Sequence, residues 1–281
     1  MKKVLVGQKP YVIPARPDVL IQISQLLSAP EPDLEKVVSV LRKDVSLYAA
    51  VLAIANSALY RGSLPVTSLN QAVMRLGLAK LHALVKLASL KNTLSKAGQI
   101  DRFWDTASEI AELTARFAAL LSKEQTDAAY SLGMMHDCGI PMMMEAFPDY
   151  REFLRRINGD NLPVIRCLEM EWYGYDHFTI GAEIAAAWHM PRAVCEAIRL
   201  QPHVDAALRG NIQCSEAGKL LLCYLLLAKD ISETYRQYWR VCSPKSQPQD
   251  LKLVLEYVGI PDIDYLDLRE DCLAELELTR E

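Results

Sequence analysis

An all-α fold is what these 281 residues predict, and three observations carry that prediction. Apolar residues recur at three- and four-residue spacing along most of the chain, as one buried helix face requires. No run alternates apolar and polar residues in the manner of a half-buried strand. Glycine, proline and capping residues fall where helices would begin and end.

The elements follow in order. Leu20, Ile23, Leu26 and Leu27 form one stripe, and Leu34, Val37, Val38 and Leu41 form the next. Pro30 and Pro32 lie between them, where a helix must break. Asp44 can cap a third helix carrying Leu47, Val51, Ile54 and Ala55. Ser68 can cap a short fourth that stops at Gly77, and a fifth runs from Leu78 to about residue 97. Further helices are predicted over 102–121, 127–144, 148–158, 163–173, 177–189 and 191–200, with Gly159 and Gly174 as stops and Pro148, Pro163 and Pro191 as openings. A long apolar helix spans about Gln213 to Trp239, the stretch Ser243–Gln249 (SPKSQPQ) reads as a linker, and helices at 250–257 and 264–278 close the chain. Three segments result: 1–97, 98–242 and 243–281. Two closely packed helical layers, or two domains sharing an interface, would give the same pattern.

Composition narrows the function classes. Hydrophobic residues at 51% and charged residues at 23% suit a packed globular chain and argue against disorder. The charge of −4 and a pI near 5.8 leave no basic footprint for nucleic acid. Arg151, Arg155 and Arg156 are interleaved with Asp149 and Glu152, the pattern of a solvated helix face. Seven scattered cysteines with no CxxC pair suggest apolar fillers of a reduced core. The opening MKKVLVGQKP lacks the apolar run of a signal peptide, and Leu220–Ala228 is too short to span a bilayer. The expectation is a cytoplasmic protein with no nucleic-acid or membrane partner. Its oligomeric state is not legible.

One local feature carries chemistry: MMHDCG, with His136 and Asp137 adjacent inside a predicted helix. Neighbours on a helix point about 100° apart, so both reach one metal only from a special position. Taken alone, such a dipeptide is more often a half-buried histidine bonded to backbone. His82 and His189 read as packing, surface or capping residues, and Met134, Met135 and Met142–Met144 as flexible core filler. No Gly-rich phosphate loop and no nucleophile-and-base spacing is present.

Several longer motifs occur in register. ANSALYRG (55–62) precedes PVTSLNQAVMRLGL (65–78); then come FW (103–104), GMMHDCG (133–139), AFPDY (146–150), GYDHFTIGAEIAAAW (174–188) and MP (190–191). In this order and spacing the chain resembles the HDOD family, a branch of the HD superfamily, over nearly its whole length. The resemblance implies an N-terminal helical bundle, residues 1–97 with the ANSALY signature, packed on a C-terminal HD-like helical domain, residues 98–242. It also implies a bacterial signalling setting.

In the HD superfamily, histidines and aspartates hold divalent metal that activates water for phosphate-ester hydrolysis. Carried over residue by residue, the pair His136 and Asp137 and the later His177 match, which makes these three the metal-ligand candidates. Elsewhere the pattern departs. The first family histidine falls on Thr106, the double histidine on Gln201 and Pro202 with His203 one place beyond, and the last aspartate near Lys229. Asp230 is adjacent but rotated by about 100° on a helix. Ile140 stands where hydrolytic relatives often carry lysine. A Lys229 ammonium in the old cavity would repel a divalent cation. The expectation is therefore a degenerate metal site, no cofactor, and a non-catalytic signal-transduction or regulatory module. Such a module would act through a signalling protein partner or a small ligand bound between the halves. With all 281 residues assigned to helices and linker, its signal would come from a separate molecule. Two alternatives remain open: a divalent metal, zinc or iron, on His136, Asp137 and His177, and with it a metal-dependent phosphohydrolase acting on nucleotides or cyclic dinucleotides.

Overall fold

The structure, a computed structural model, describes residues 10–11, 18–42, 47, 51–52, 55–56, 66, 68–93, 101–122, 125–157, 159–188, 190–232, 235–236 and 251–280. None of these residues lies in a strand. The order is α1 (Asp18–Leu27), α2 (Leu34–Arg42), α3 (Leu69–Leu76), α4 (Leu78–Thr93), α5 (Asp101–Leu121), α6 (Thr126–Met135), α7 (Gly139–Ala146) and α8 (Tyr150–Ile157). Then come α9 (Leu162–Tyr173), α10 (His177–Ala187), α11 (Arg192–Leu200), a 3-10 turn (Gln201–His203), α12 (Val204–Leu208), α13 (Glu216–Ile231), α14 (Lys252–Val258) and α15 (Asp262–Arg280). The fold is all-α, as the spacing predicts. Asp44, Ile54, the segment 94–100 and the linker 243–249 lie outside the described residues, and so do both expected segment boundaries.

Local chemistry accounts for most element ends. Ser68 accepts a hydrogen bond from the Gln71 N–H and so caps α3, which Gly77 ends at a φ of 76°. Asn161 caps α9 through the Val164 N–H, and Gly174 ends it in the left-handed region. Asp176 caps α10 and Ser215 caps α13. Asn56, half-buried, ties its stretch of chain to residue 66: its amide donates to the Leu52 and Val66 carbonyls (3.0 and 2.8 Å), and its carbonyl accepts from the Val66 N–H (2.6 Å).

Two elements differ from expectation. The predicted helix 127–144 is two, α6 and α7, separated by a tight turn at His136–Cys138 with i→i−3 bonds from Cys138 N to Met135 O and from Ile140 N to Asp137 O. Tertiary contact explains the break: a Cβ on Gly139 would lie 1.9 Å from the His177 carbonyl oxygen, so only glycine lets the start of α7 meet the start of α10. The predicted helix 213–239 stops at Ile231, where the Ser232 hydroxyl donates to Glu109 (2.6 Å) and accepts from the Tyr235 N–H (3.0 Å).

One hydrophobic core runs from Tyr11 to Cys272. Helix α6 lies at its centre, packed on α5, α4, α11 and α13. Gly133 permits the close α5–α6 crossing, since a Cβ there would sit 2.3 Å from Ala111 Cα. The N-terminal helices join this body through α4, where Lys80 pairs with Glu112 of α5 at 2.6 Å and lies over the Tyr130 ring of α6. Tyr11 adds a hydrogen bond to Glu183 of α10 at 2.9 Å.

Candidate functional site

The α6–α7 turn sets the site. It delivers His136 and Asp137 into the core, where they are 2% and 3% exposed, with Nε2 of the histidine 3.2 Å from Oδ2 of the aspartate. The turn thus overcomes the 100° divergence that a continuous helix would impose. His136 Nδ1 lies 2.6 Å from the Gly133 carbonyl oxygen, which can only accept, so Nδ1 carries the proton. Nε2 then presents a lone pair inward and makes no hydrogen bond among the described residues.

Lys229, on the last turn of α13 and 5% exposed, reaches the same spot. Its ammonium is 3.4 Å from Asp137 Oδ1, donates to Gln201 Oε1, and lies 4.7 Å from the centre of the Tyr235 ring. Gln201, at the head of the 3-10 turn, donates in turn to the carbonyl oxygens of His136 (2.7 Å) and Ile198 (3.1 Å). Carboxylate, ammonium, amide and backbone therefore form one closed network across α6, α11 and α13. At an effective dielectric near 20 the Asp137–Lys229 attraction is roughly 4–5 kcal/mol, which offsets much of the cost of burying both charges. Burial opposes ionisation of Asp137, yet the His136 ring and the Lys229 ammonium outweigh it and hold the carboxyl below the usual carboxylate range. Burial lowers the pKa of His136, and Lys229 adds to that effect against the pull of Asp137. Burial also lowers the pKa of Lys229, with Asp137 opposing.

His177 opens α10 and is equally buried, but its partner is different. Nδ1 lies 2.7 and 2.9 Å from the two Glu169 oxygens, and the His177 N–H donates to Glu169 at 3.1 Å. Glu169, fully buried on α9, also accepts the Tyr150 hydroxyl. Burial would depress the imidazole pKa, but the Glu169 carboxylate more than compensates and raises it.

The three candidates His136, Asp137 and His177 thus share one buried region, but the donor set does not fit a metal. Among the described residues no three His, Cys, Asp or Glu side chains are placed to hold a metal ion. The Lys229 ammonium stands on the aspartate instead. A dication about 4 Å from that ammonium would meet roughly 8 kcal/mol of repulsion at a dielectric near 20. The other positions agree. Thr106 and Ile140 are buried without ligand chemistry, and His203 is half-buried beyond Gln201. Asp230 turns away, accepting from the Tyr265 hydroxyl at 2.7 Å and lying 4.0 Å from both Arg236 and Arg269.

Glu169, Tyr150 and Tyr235 escape sequence reasoning as members of the site, and Gln201 enters it only as a lost histidine. One signal was present: Glu169 falls between Ile165 and Tyr173 on the buried face of α9, a charge where the pattern demands an apolar residue. His82 is a packing residue, its Nε2 2.8 Å from the Ser24 hydroxyl, and His189 lies outside the described residues. Arg155 and Arg156 are exposed and pair with Glu152, a solvated face as predicted. No helix among the described residues is long and apolar enough to cross a membrane.

Comparison with known proteins matches this architecture. An uncharacterised protein of Treponema pallidum is 28% identical over 202 residues; the match takes in 69% of this chain but spans only 38% of that protein. Three crystal structures share the fold. They are a candidate phosphohydrolase from Shewanella amazonensis (TM-score 0.70, 22% identity, 96% of this chain and 92% of that one), a candidate signal transduction protein from Marinobacter aquaeolei (0.68, 21%, 96% and 60%) and an HDOD domain protein of unknown function from Geobacter sulfurreducens (0.68, 18%, 95% and 91%). At such identities the likeness is one of fold and does not settle activity. A sequence model of the HDOD domain matches residues 13–204, and this chain belongs to the HDOD domain family.

Proposed function

We propose that this chain is a non-catalytic signal-transduction or regulatory module that works through protein contacts or a small ligand. One observation carries the reading: the Lys229 ammonium lies on Asp137, where hydrolysis would need a metal. A hydrolytic centre must leave room for water and phosphate beside its metal, and this network closes on itself through Gln201. A surface feature supports protein contact. Trp172, 61% exposed, stands on the flank of α9 against Phe153, and the buried face of the same helix brings Glu169 to His177. Exposed tryptophan is a frequent anchor of protein interfaces.

The test is a hydrolysis screen. Full-length protein is assayed with magnesium, manganese, zinc or iron(II) on nucleotides, cyclic dinucleotides and aryl phosphates. Turnover no faster than the metal-only blank is expected. Metal-dependent turnover abolished by His136→Ala would establish the phosphohydrolase instead.

A further inference from the structure

The cluster around Asp137 is built like a seat for a cation. Asp137 Oδ1 and Gln201 Oε1 both point at the Lys229 ammonium, and the Tyr235 ring covers it at 4.7 Å. A carboxylate oxygen, an amide oxygen and an aromatic face are the groups that stabilise positive charge away from water. The His136 Nε2 lone pair, buried and without a hydrogen bond among the described residues, lies 3.2 Å from Oδ2 of the same carboxylate. The carboxylate, the amide oxygen and the ring thus face one point, and the atom at that point belongs to the chain's own side chain.

We infer that Lys229 supplies a tethered cation to a seat formed by Asp137, Gln201 and Tyr235, and that removing its ammonium turns the seat into a binding site for a cation from solution. The inference builds on the non-hydrolytic reading above, adding what takes the place of the metal. The seat joins α6, α11 and α13 through charge: α13 supplies the ammonium, the turn after α6 the carboxylate, and the residue after α11 the amide. A small alkylammonium ion would restore the charge alone.

The full chain carrying Lys229→Ala tests this by thermal unfolding in sodium chloride and in methylammonium chloride at the same ionic strength. Breaking a buried pair from one side is expected to lower the midpoint by about 5–15 °C. Methylammonium should recover at least half of that loss by binding the folded state, while the unmutated protein should not respond. Asp137→Asn added to Lys229→Ala should raise the midpoint above that of the single variant and abolish the recovery. If Lys229→Ala alone does not fold, the double variant should fold, because it leaves no uncompensated carboxylate. Absence of recovery in a folded Lys229→Ala protein, or a double variant no more stable than the single one, would overturn the inference. Hydrolysis by the unmutated protein would sink the functional reading and leave the seat standing; failure of the rescue would do the reverse.

Discussion

Two buried histidines sit in the same core and behave oppositely. Burial lowers the pKa of His136, with the Lys229 ammonium offsetting part of the opposing pull of Asp137; at His177 the Glu169 carboxylate outweighs burial and raises it. Burial pushes both imidazoles toward the neutral form, and the net charge around each decides whether burial prevails, as at His136, or is overcome, as at His177. The lesson is that matching a histidine to a family position does not transfer its chemistry. What transfers is the backbone that presents it, and the groups facing it decide whether it can be a ligand, a base or a strut.

The largest expected way to break this comparison is Asp137→Ala. It leaves the Lys229 ammonium buried without its carboxylate, and a loss of about 3–5 kcal/mol is expected in chemical denaturation. A loss under about 1 kcal/mol, the range of an exposed pair, would mean that the pair is not buried in solution.

A smaller effect separates the two histidines by pH. The folded pKa of His177 lies above its unfolded value near 6.5, so its contribution is fully present below that pH and is lost as pH rises through the folded pKa. The folded pKa of His136 lies below 6.5, so the unfolded chain takes up a proton first and stability is lost as pH falls beneath about 6.5. Between pH 5 and 8, His136→Gln should flatten the acid limb of the stability curve and His177→Gln the alkaline limb. Loss of the same limb in both variants would erase the contrast.

How much of this was legible depends on whether local or distant chemistry decides. Helix α3 is readable because Ser68 and Gly77 act on their own neighbours, and the face of α9 is readable from its spacing. The break after Met135 is not readable, because MMHDCGI continues an apolar helical pattern and the interruption comes from the contact of Gly139 with His177, far along the chain. Lys229 was foreseeable from its place in the family pattern and from one helical step separating it from Asp230. Gln201 was foreseen only as a missing histidine. Its part in linking Lys229 to the His136 carbonyl depends on a meeting of three elements that no local pattern encodes.

The most direct measurement of the central claim is metal content coupled to stability in the unmutated protein. Chain dialysed against zinc, manganese and iron(II), then desalted, is analysed for metal and melted with and without chelator. Metal far below one ion per chain and superimposable unfolding curves are expected, because the positive charge beside Asp137 is already the chain's own. Near-stoichiometric metal, with a midpoint that falls on chelation, would contradict the claim, since metal bound at this turn would add its binding energy to folding.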